Sequence, residues 1–319
     1  METSAIQTDG LVKSFGEVLA LDGLDLNVAP GVVYGFLGPN GAGKTTTLRI
    51  LSGLANSDRG SANVLGNPVR LHDPAQQVQI GVLPEEAVFY RWMTAREYLC
   101  DFVAPLHGIT GEVAARRTSE MLEMVGLKYA ADRRAGGFSR GMRQRLGLAQ
   151  AMIHKPPVLL LDEPVSALDP SGRKDVLEMI DGLRGETTVL LSTHILADVE
   201  RVCDVIGIID HGRMLVEDSR AALLERYAAP VFEVEIERDA NNWIEQITGD
   251  PHVEQMKLED DTVRLWVNHE ETAQRALLQS LTDADVLVRR FEKVTPSLED
   301  IFLRLTNATE KVSQHKGGT

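Results

Sequence analysis

The octet Gly38-Pro39-Asn40-Gly41-Ala42-Gly43-Lys44-Thr45 fits the pattern G-x-x-x-x-G-K-[ST], and Thr46 follows it. This stretch constrains the fold more than any other, because it works only between a strand and a helix. Its backbone N–H groups can wrap a phosphate chain only where a strand delivers the loop and a helix carries it away. The flanks comply. "VVYGFL" before the loop is a β-rich apolar run, and "TTLRILSGL" after it has helical spacing. The glycines let the backbone approach a phosphate with no Cβ in the way. Lys44 is placed to meet β- and γ-phosphates, and the Thr45 hydroxyl to ligate Mg²⁺.

The rest of the N-terminal part agrees with such a setting. "AIQTDGLVKSF" and "LALDGLDLNV" read as short strands with Gly and Asp-Gly breaks. Residues 86–155 read as helical, with apolar residues three and four apart in "REYLCDFVAPLHG" and "TSEMLEMVGL". "PVLLLDEP" and "TVLLST" are continuous apolar runs, as strands buried on both faces would be. Helical "GRKDVLEMIDGLRG" and "HILADVERVC" alternate with them, and "VIGIIDHGRMLVE" reads as a closing hairpin. Strands alternating with helices predict an α/β domain with a mainly parallel sheet.

Two carboxylates, Asp162 and Glu163, stand at the C-terminal end of the first of those buried strands, where ligands of such sheets bind. Asp162 is expected to hold Mg²⁺ through water. Glu163, one residue on and pointing elsewhere, is expected to polarise an attacking water. His194 follows the neighbouring apolar strand and is expected beside the γ-phosphate. Phe138-Ser139-Arg140-Gly141-Met142 forms a second anion-binding start of a helix, with Ser139 and the N–H groups near Gly141 free for a phosphate.

Composition narrows the partners. The net charge is −14, which argues against an electrostatic nucleic-acid binder. Two cysteines, Cys100 and Cys203, are too few for a disulfide framework and lack metal-ligand spacing. The N-terminus lacks a basic start followed by an apolar run, and no stretch approaches a membrane span. Any membrane role is therefore expected to pass through a partner. The chain is read as a nucleotide-binding domain at 1–225 with its helical subdomain at 86–155, an accessory domain at 226–305, and a polar, disordered tail at 306–319. Residues 231–305 hold 17 Asp and Glu against 8 Lys and Arg. Their order of elements is β-α-β-β-α-β, the ferredoxin-like arrangement. A short helix, "PSLEDIFLRL", closes it, with Ser297 or Pro296 near its start.

Taken in order, these residues resemble the ATP-binding cassette (ABC) ATPases over roughly residues 3–225. The resemblance implies that Phe15 stacks on adenine and that Gly38, Pro39, Asn40, Gly41, Ala42, Gly43, Lys44, Thr45 and Thr46 bind the phosphates. It implies a Q-loop near "GVLPEE", where Glu85 stands in place of the usual Gln that contacts Mg²⁺ and the attacking water, and is either a catalytic residue and Mg²⁺ ligand or turned away at rest. It makes "FSRGM" the signature motif, Ser166-Ala167-Leu168-Asp169 the D-loop, and His194 the switch histidine. The family's Leu-Ser-Gly-Gly-Gln is altered here. Ser139 and Gly141 are kept, while Arg140 either strengthens the γ-phosphate grip or faces a permease.

The resemblance further implies a head-to-tail dimer, a homodimer in the simplest case. In it the signature motif of one subunit closes over the γ-phosphate held by the other. It also implies an integral membrane permease contacted through residues 86–100, where Phe89, Tyr90, Trp92 and Met93 cluster. The expected location is the cytoplasmic face of the membrane, and no nucleic acid is bound. The accessory domain is similar to that of exporter ATPases for drugs, lipids or polysaccharides. The alternative is a soluble ABC ATPase acting on ribosomes or nucleic acid.

Overall fold

The computed structural model describes residues 4–226, 230–237, 241–294 and 297–302. The expected tail at 306–319, Pro296 and the end of the last helix lie outside them. The chain divides into two compact units, Met1–Arg220 and Ala221–Thr319. The division falls at the start of the helix Arg220–Arg226, where composition had placed it at the end.

The first unit is built on two sheets. In one, β1 (Ile6–Phe15) pairs antiparallel with β2 (Val18–Val28) and with β4 (Arg59–Val64), which turns into β5 (Asn67–Pro68). The other has the order β10-β9-β3-β8-β7-β6. It comprises β3 (Val33–Leu37), β6 (Ile80–Leu83), β7 (Val158–Asp162), β8 (Thr188–Thr193), β9 (Val205–Asp210) and β10 (Arg213–Ser219). All its pairings are parallel except the β9–β10 hairpin. Every residue of β3, β7 and β8 is buried, as continuous apolar runs in a covered parallel sheet should be. The hairpin turns on His211 and Gly212, both at positive φ, which suits a tight turn matched to strand twist. Sequence reading found neither the β4–β5 hairpin nor β6.

This order sets the site. β3 lies between β8 and β9, and β7 pairs with β8 in a register that puts Asp162 beside Ser192. The phosphate loop after β3, the carboxylates after β7 and His194 after β8 therefore emerge at one edge of the sheet.

The helical subdomain rests on β6. A Cβ at Gly81 would sit 2.1 Å from the Ala151 carbonyl, so only glycine admits the helix Arg140–Met152 at this distance. "REYLCDFVAPLHG" is helical as expected but not uniform. Thr94 and Glu97 close a capping box, and Tyr98–Val103 widens into a π-helix before Pro105. Proline brings no N–H for the carbonyl four residues back, and its ring would strike it. The wide turn relieves both problems.

The second unit has the expected β-α-β-β-α-β order. β11 (Val231–Ile236), β12 (Val253–Glu259), β13 (Thr262–Val267) and β14 (Val288–Val294) form an antiparallel sheet in the order β12-β13-β11-β14. The helices Asn241–Ile247 and Glu270–Asp283 supply Trp243, Ala273 and Leu277 to a core with Phe232, Val234 and Leu265. The Trp243 indole donates to Ser280 at 2.9 Å, so its polar end is satisfied. Of the two candidate starts for the last helix, Ser297 takes the cap. Its hydroxyl accepts from the Asp300 N–H at 3.3 Å, and its own N–H donates to the Asp300 carboxylate at 2.6 Å.

Candidate functional site

A cleft of about 530 Å³ lies over the edge where these loops emerge. Its walls include Asn40, Gly41, Gly43, Lys44, Thr45 and Thr46 of the phosphate loop, then Glu85, Asp162, Glu163, Ser166 and His194. Residues from four separate chain segments thus converge on one space.

The loop side is built around Gly43, which precedes the helix Lys44–Leu51 with φ +109°. That helix opens its N–H groups toward the cleft, with no acidic side chain in its first turn to compete for them. Lys44 is buried, and its ammonium donates to the carbonyls of Gly38 at 2.7 Å and Pro39 at 3.1 Å. Burial pulls its pKa below the ordinary lysine value, and the charges of Glu163, Asp162 and Glu85 partly restore it. Ala42 is buried, and its N–H donates to the Pro39 carbonyl, which closes the turn.

On the opposite wall Asp162 accepts a short hydrogen bond from the Ser192 hydroxyl. Ser192 also holds the Glu163 N–H, through its carbonyl at 3.1 Å and its hydroxyl at 3.3 Å. Glu163 adopts φ +49°, unusual for a non-glycine residue, and these bonds hold it there. Its carbonyl accepts from the Gln144 side chain at 3.1 Å and from the Ser166 hydroxyl at 3.2 Å. The Glu163 side chain is 10% exposed. One carboxylate oxygen lies 2.8 Å from His194 Nδ1, and the other is buried without a hydrogen-bond partner. An orphaned buried carboxylate oxygen is costly, and such atoms belong at sites that take a ligand or a proton.

Thr45, Asp162 and Glu85 present hydroxyl and carboxylate oxygens to the same cleft, a donor set that suits a hard cation such as Mg²⁺. Among the described residues no group of three or more His, Cys, Asp and Glu is arranged around a metal. A Mg²⁺ there would therefore draw on Thr45 and Asp162, with Glu85 in reach, and on oxygens from the nucleotide or water.

Other expected residues lie elsewhere. Phe15, at the end of β1, is 53% exposed with the Lys13 ammonium 5.4 Å from its ring centre. Val18 and Ala20 form the cleft wall on that side. Ser139 and Gly141 do not line the cleft, and the Ser139 hydroxyl caps its own helix by accepting from the Met142 N–H at 3.2 Å. Asp169 starts the helix Pro170–Asp181 and is exposed. The aromatic cluster of 86–100 divides. Phe89 and Met93 are buried, whereas Tyr90 and Trp92 are exposed with ring centres 5.8 Å apart. Glu85 also lines a second groove of about 280 Å³ with Arg49, Leu54 and Glu86.

Sequence reading missed Ser192 and Gln144, which position the two carboxylates. Ser192 had a signal. It is the polar residue that breaks the apolar strand "TVLLST" at the end nearest Asp162. Gln144 had none, because only the folded helix brings it to Glu163.

Comparison with known proteins agrees with this geometry. The ABC transporter family model matches residues 21–166. A model of the C-terminal domain of DrrA1-3-like ATP-binding proteins matches residues 219–306. The ABC transporter ATP-binding protein YxlF of Bacillus subtilis is 38% identical, over 95% of this chain and all of that one. The daunorubicin resistance ATP-binding protein DrrA2 of Streptomyces coeruleorubidus is 38% identical, over 96% of each chain. The Nod factor export ATP-binding protein I of Rhizobium sp. is 36% identical, over 96% of this chain and 98% of that one. Among solved structures, an ATP-binding subunit of an ABC transporter superposes with a TM-score of 0.65 at 28% identity. It covers 70% of this chain and 93% of its own. A bacterial ABC transporter cassette solved as a dimer gives 0.63 at 25% identity, over 67% of this chain and 98% of its own. With a phosphate loop, paired carboxylates and a histidine converging on one cleft, and relatives that match from end to end, the chain belongs to the ABC ATPases, as an ATP-binding subunit of an ABC transporter with a DrrA-like C-terminal domain.

Proposed function

We propose that this chain powers an exporter, and that it hydrolyses ATP in a head-to-tail dimer held together by the nucleotide. The observation that carries the chemistry is Glu163. One of its oxygens is fixed by His194, and the other is buried, unpartnered and part of the phosphate cleft. A carboxylate so held accepts a proton from a water attacking the γ-phosphate, while His194 fixes its direction. Gly38 to Thr46 cradle the phosphates, with Lys44 moving from the Gly38 and Pro39 carbonyls to the β- and γ-oxygens. Thr45 and Asp162, with Glu85 in reach, would hold Mg²⁺. That ion, when bound, neutralises charge on the β- and γ-oxygens. Phe15 is assigned to the adenine, on the ring face away from the Lys13 ammonium.

The dimer is inferred from what the cleft lacks. Ser139 and Gly141 stand outside their own chain's cleft, at the start of a helix whose N–H groups suit a phosphate. A second copy supplies them, with Asp169 at the same junction. ATP then favours the closed pair, and hydrolysis releases it. The permease is assigned to Tyr90, Trp92 and the groove shared by Glu85, so that nucleotide and membrane partner meet across one residue. No helix among the described residues is long and apolar enough to cross a membrane. Attachment to the cytoplasmic face would then run through that permease. Export is favoured by the relatives, named for daunorubicin resistance and Nod factor export. Neither name supports the ribosome or nucleic-acid alternative.

Glu163→Gln tests the chemistry. It keeps the shape of the side chain but cannot take the proton. Turnover should fall by about 10²–10⁴-fold, while ATP affinity stays and an ATP-bound dimer accumulates. A turnover rate near that of the unaltered protein removes Glu163 from the role.

A further inference from the structure

The same helix start that is assigned to a partner's nucleotide carries one residue that belongs to its own cleft. Arg140, the first residue of the helix Arg140–Met152, lines the 530 Å³ cleft together with Lys44, Glu163, Ser166 and His194. Its neighbours Ser139 and Gly141 do not.

The other arginines nearby are committed. Arg143 donates to the Phe138 carbonyl at 2.7 Å, Arg133 to the Gly137 carbonyl at 2.7 Å, and Arg145 to the Val125 carbonyl at 3.0 Å. The Arg140 residue is exposed, and its guanidinium has no hydrogen bond or ion pair among the described residues. The backbone beneath it is fixed. Gln144, one turn on, bonds the Glu163 carbonyl, and a Cβ at Gly141 would lie 3.3 Å from the Ala167 carbonyl. The base of the arginine is therefore tied to the end of the cleft that holds Glu163.

Charge favours the same placement. Glu85, Asp162 and Glu163 put three carboxylates in the cleft, against one buried lysine that already donates to two carbonyls. An unpaired guanidinium at the rim is drawn to that space, and more so once phosphates fill it. Its planar fork of donors matches a terminal phosphate in a way a backbone N–H cannot.

We propose that Arg140 grips the terminal phosphate of the nucleotide held by its own chain, before any second copy arrives. Ser139 and Gly141 are left to serve the partner's nucleotide. The monomer would thereby distinguish a nucleoside triphosphate from a diphosphate, and only a triphosphate-loaded chain would go on to pair. This inference rests on the assignment of the cleft to ATP.

The test is nucleotide binding by the full chain at concentrations where sedimentation shows a monomer, with ATP and ADP titrated separately. Arg140→Ala is expected to weaken ATP about tenfold, as loss of a charge-assisted contact should. ADP should move less than about twofold, because the contact is to the missing phosphate. Arg140→Lys is expected to recover part of the loss. Equal affinities of Arg140→Ala and the unaltered monomer for ATP overturn the proposal, as does an equal loss for ATP and ADP. A defect that appears only in the dimer also overturns it and hands Arg140 to the partner's site. If the unaltered chain binds neither nucleotide, the ATP assignment itself fails and this inference falls with it.

Discussion

Gly43→Ala and Gly41→Ala separate two reasons for glycine in the phosphate loop. Gly41 has φ +84°, and a Cβ added there would meet nothing within 4 Å. Its substitution carries only the backbone cost of a left-handed residue, about 1–2 kcal/mol. Gly43 has φ +109°, and its Cβ would lie 2.6 Å from the Ala20 carbonyl and 2.7 Å from Leu21 Cδ2. The Ala20 carbonyl is β2 backbone and cannot swing aside, and the Leu21 side chain is fully buried. Overpacking of this kind adds about 1–3 kcal/mol to the backbone term. For a unit of this size each kcal/mol is worth about 2–4 °C, so Gly43→Ala should melt about 2–12 °C below Gly41→Ala. Calorimetry without nucleotide measures this directly. If the loop moves to relieve the clash instead, the stability gap shrinks and ATP affinity falls. Equal melting temperatures together with equal ATP affinities would refute the reasoning.

His107 and His154 stack with ring centres 3.7 Å apart, and burial together with the neighbouring His107 lowers the His154 pKa to about 4. The fold thus keeps His154 neutral, while the unfolded chain takes up a proton near pH 6.5. This contribution to stability is complete above that pH and is lost as pH falls from there toward 4. His154→Gln should flatten the melting temperature across this window, and an unchanged slope would contradict it. Tyr90 and Trp92 are exposed and touch no part of the nucleotide cleft. Serine at both should leave the ATPase rate of the isolated chain unchanged while lowering its recovery with the membrane fraction from cells. Undiminished recovery would argue against this face as the permease contact.

Much of this site could be read from the chain because its parts are local. A phosphate loop needs only a strand, a turn and a helix in succession, and Gly38 to Thr46 with their flanks supply all three. Asp162 and Glu163 follow a strand so apolar that its burial was plain. The ferredoxin-like order was legible for the same reason, since each strand and helix there carries its own period. What escaped depends on pairing. Ile80–Leu83 is short and holds a glycine, and it is a strand only because β7 lies beside it. Gln144 and Ser192 act on Glu163 across 19 and 29 residues of sequence, through contacts that no local pattern encodes. The aromatic run after Glu85 looked like one surface. Folding buried Phe89, which meets Tyr98 edge-on, and Met93, and left Tyr90 and Trp92 outside.

The central claim is that each active site needs two chains. A Lys44→Ala chain lacks the lysine of its phosphate loop, and a Ser139→Arg chain lacks the serine offered to its partner. Neither can form a complete site with its own kind. A heterodimer of the two joins the intact loop of the second to the intact signature of the first. The measurement is ATP hydrolysis by the purified heterodimer, isolated through a different tag on each chain. Hydrolysis well above both parents is the predicted result. Hydrolysis no faster than the more active parent, in a confirmed heterodimer, would contradict a site shared between chains.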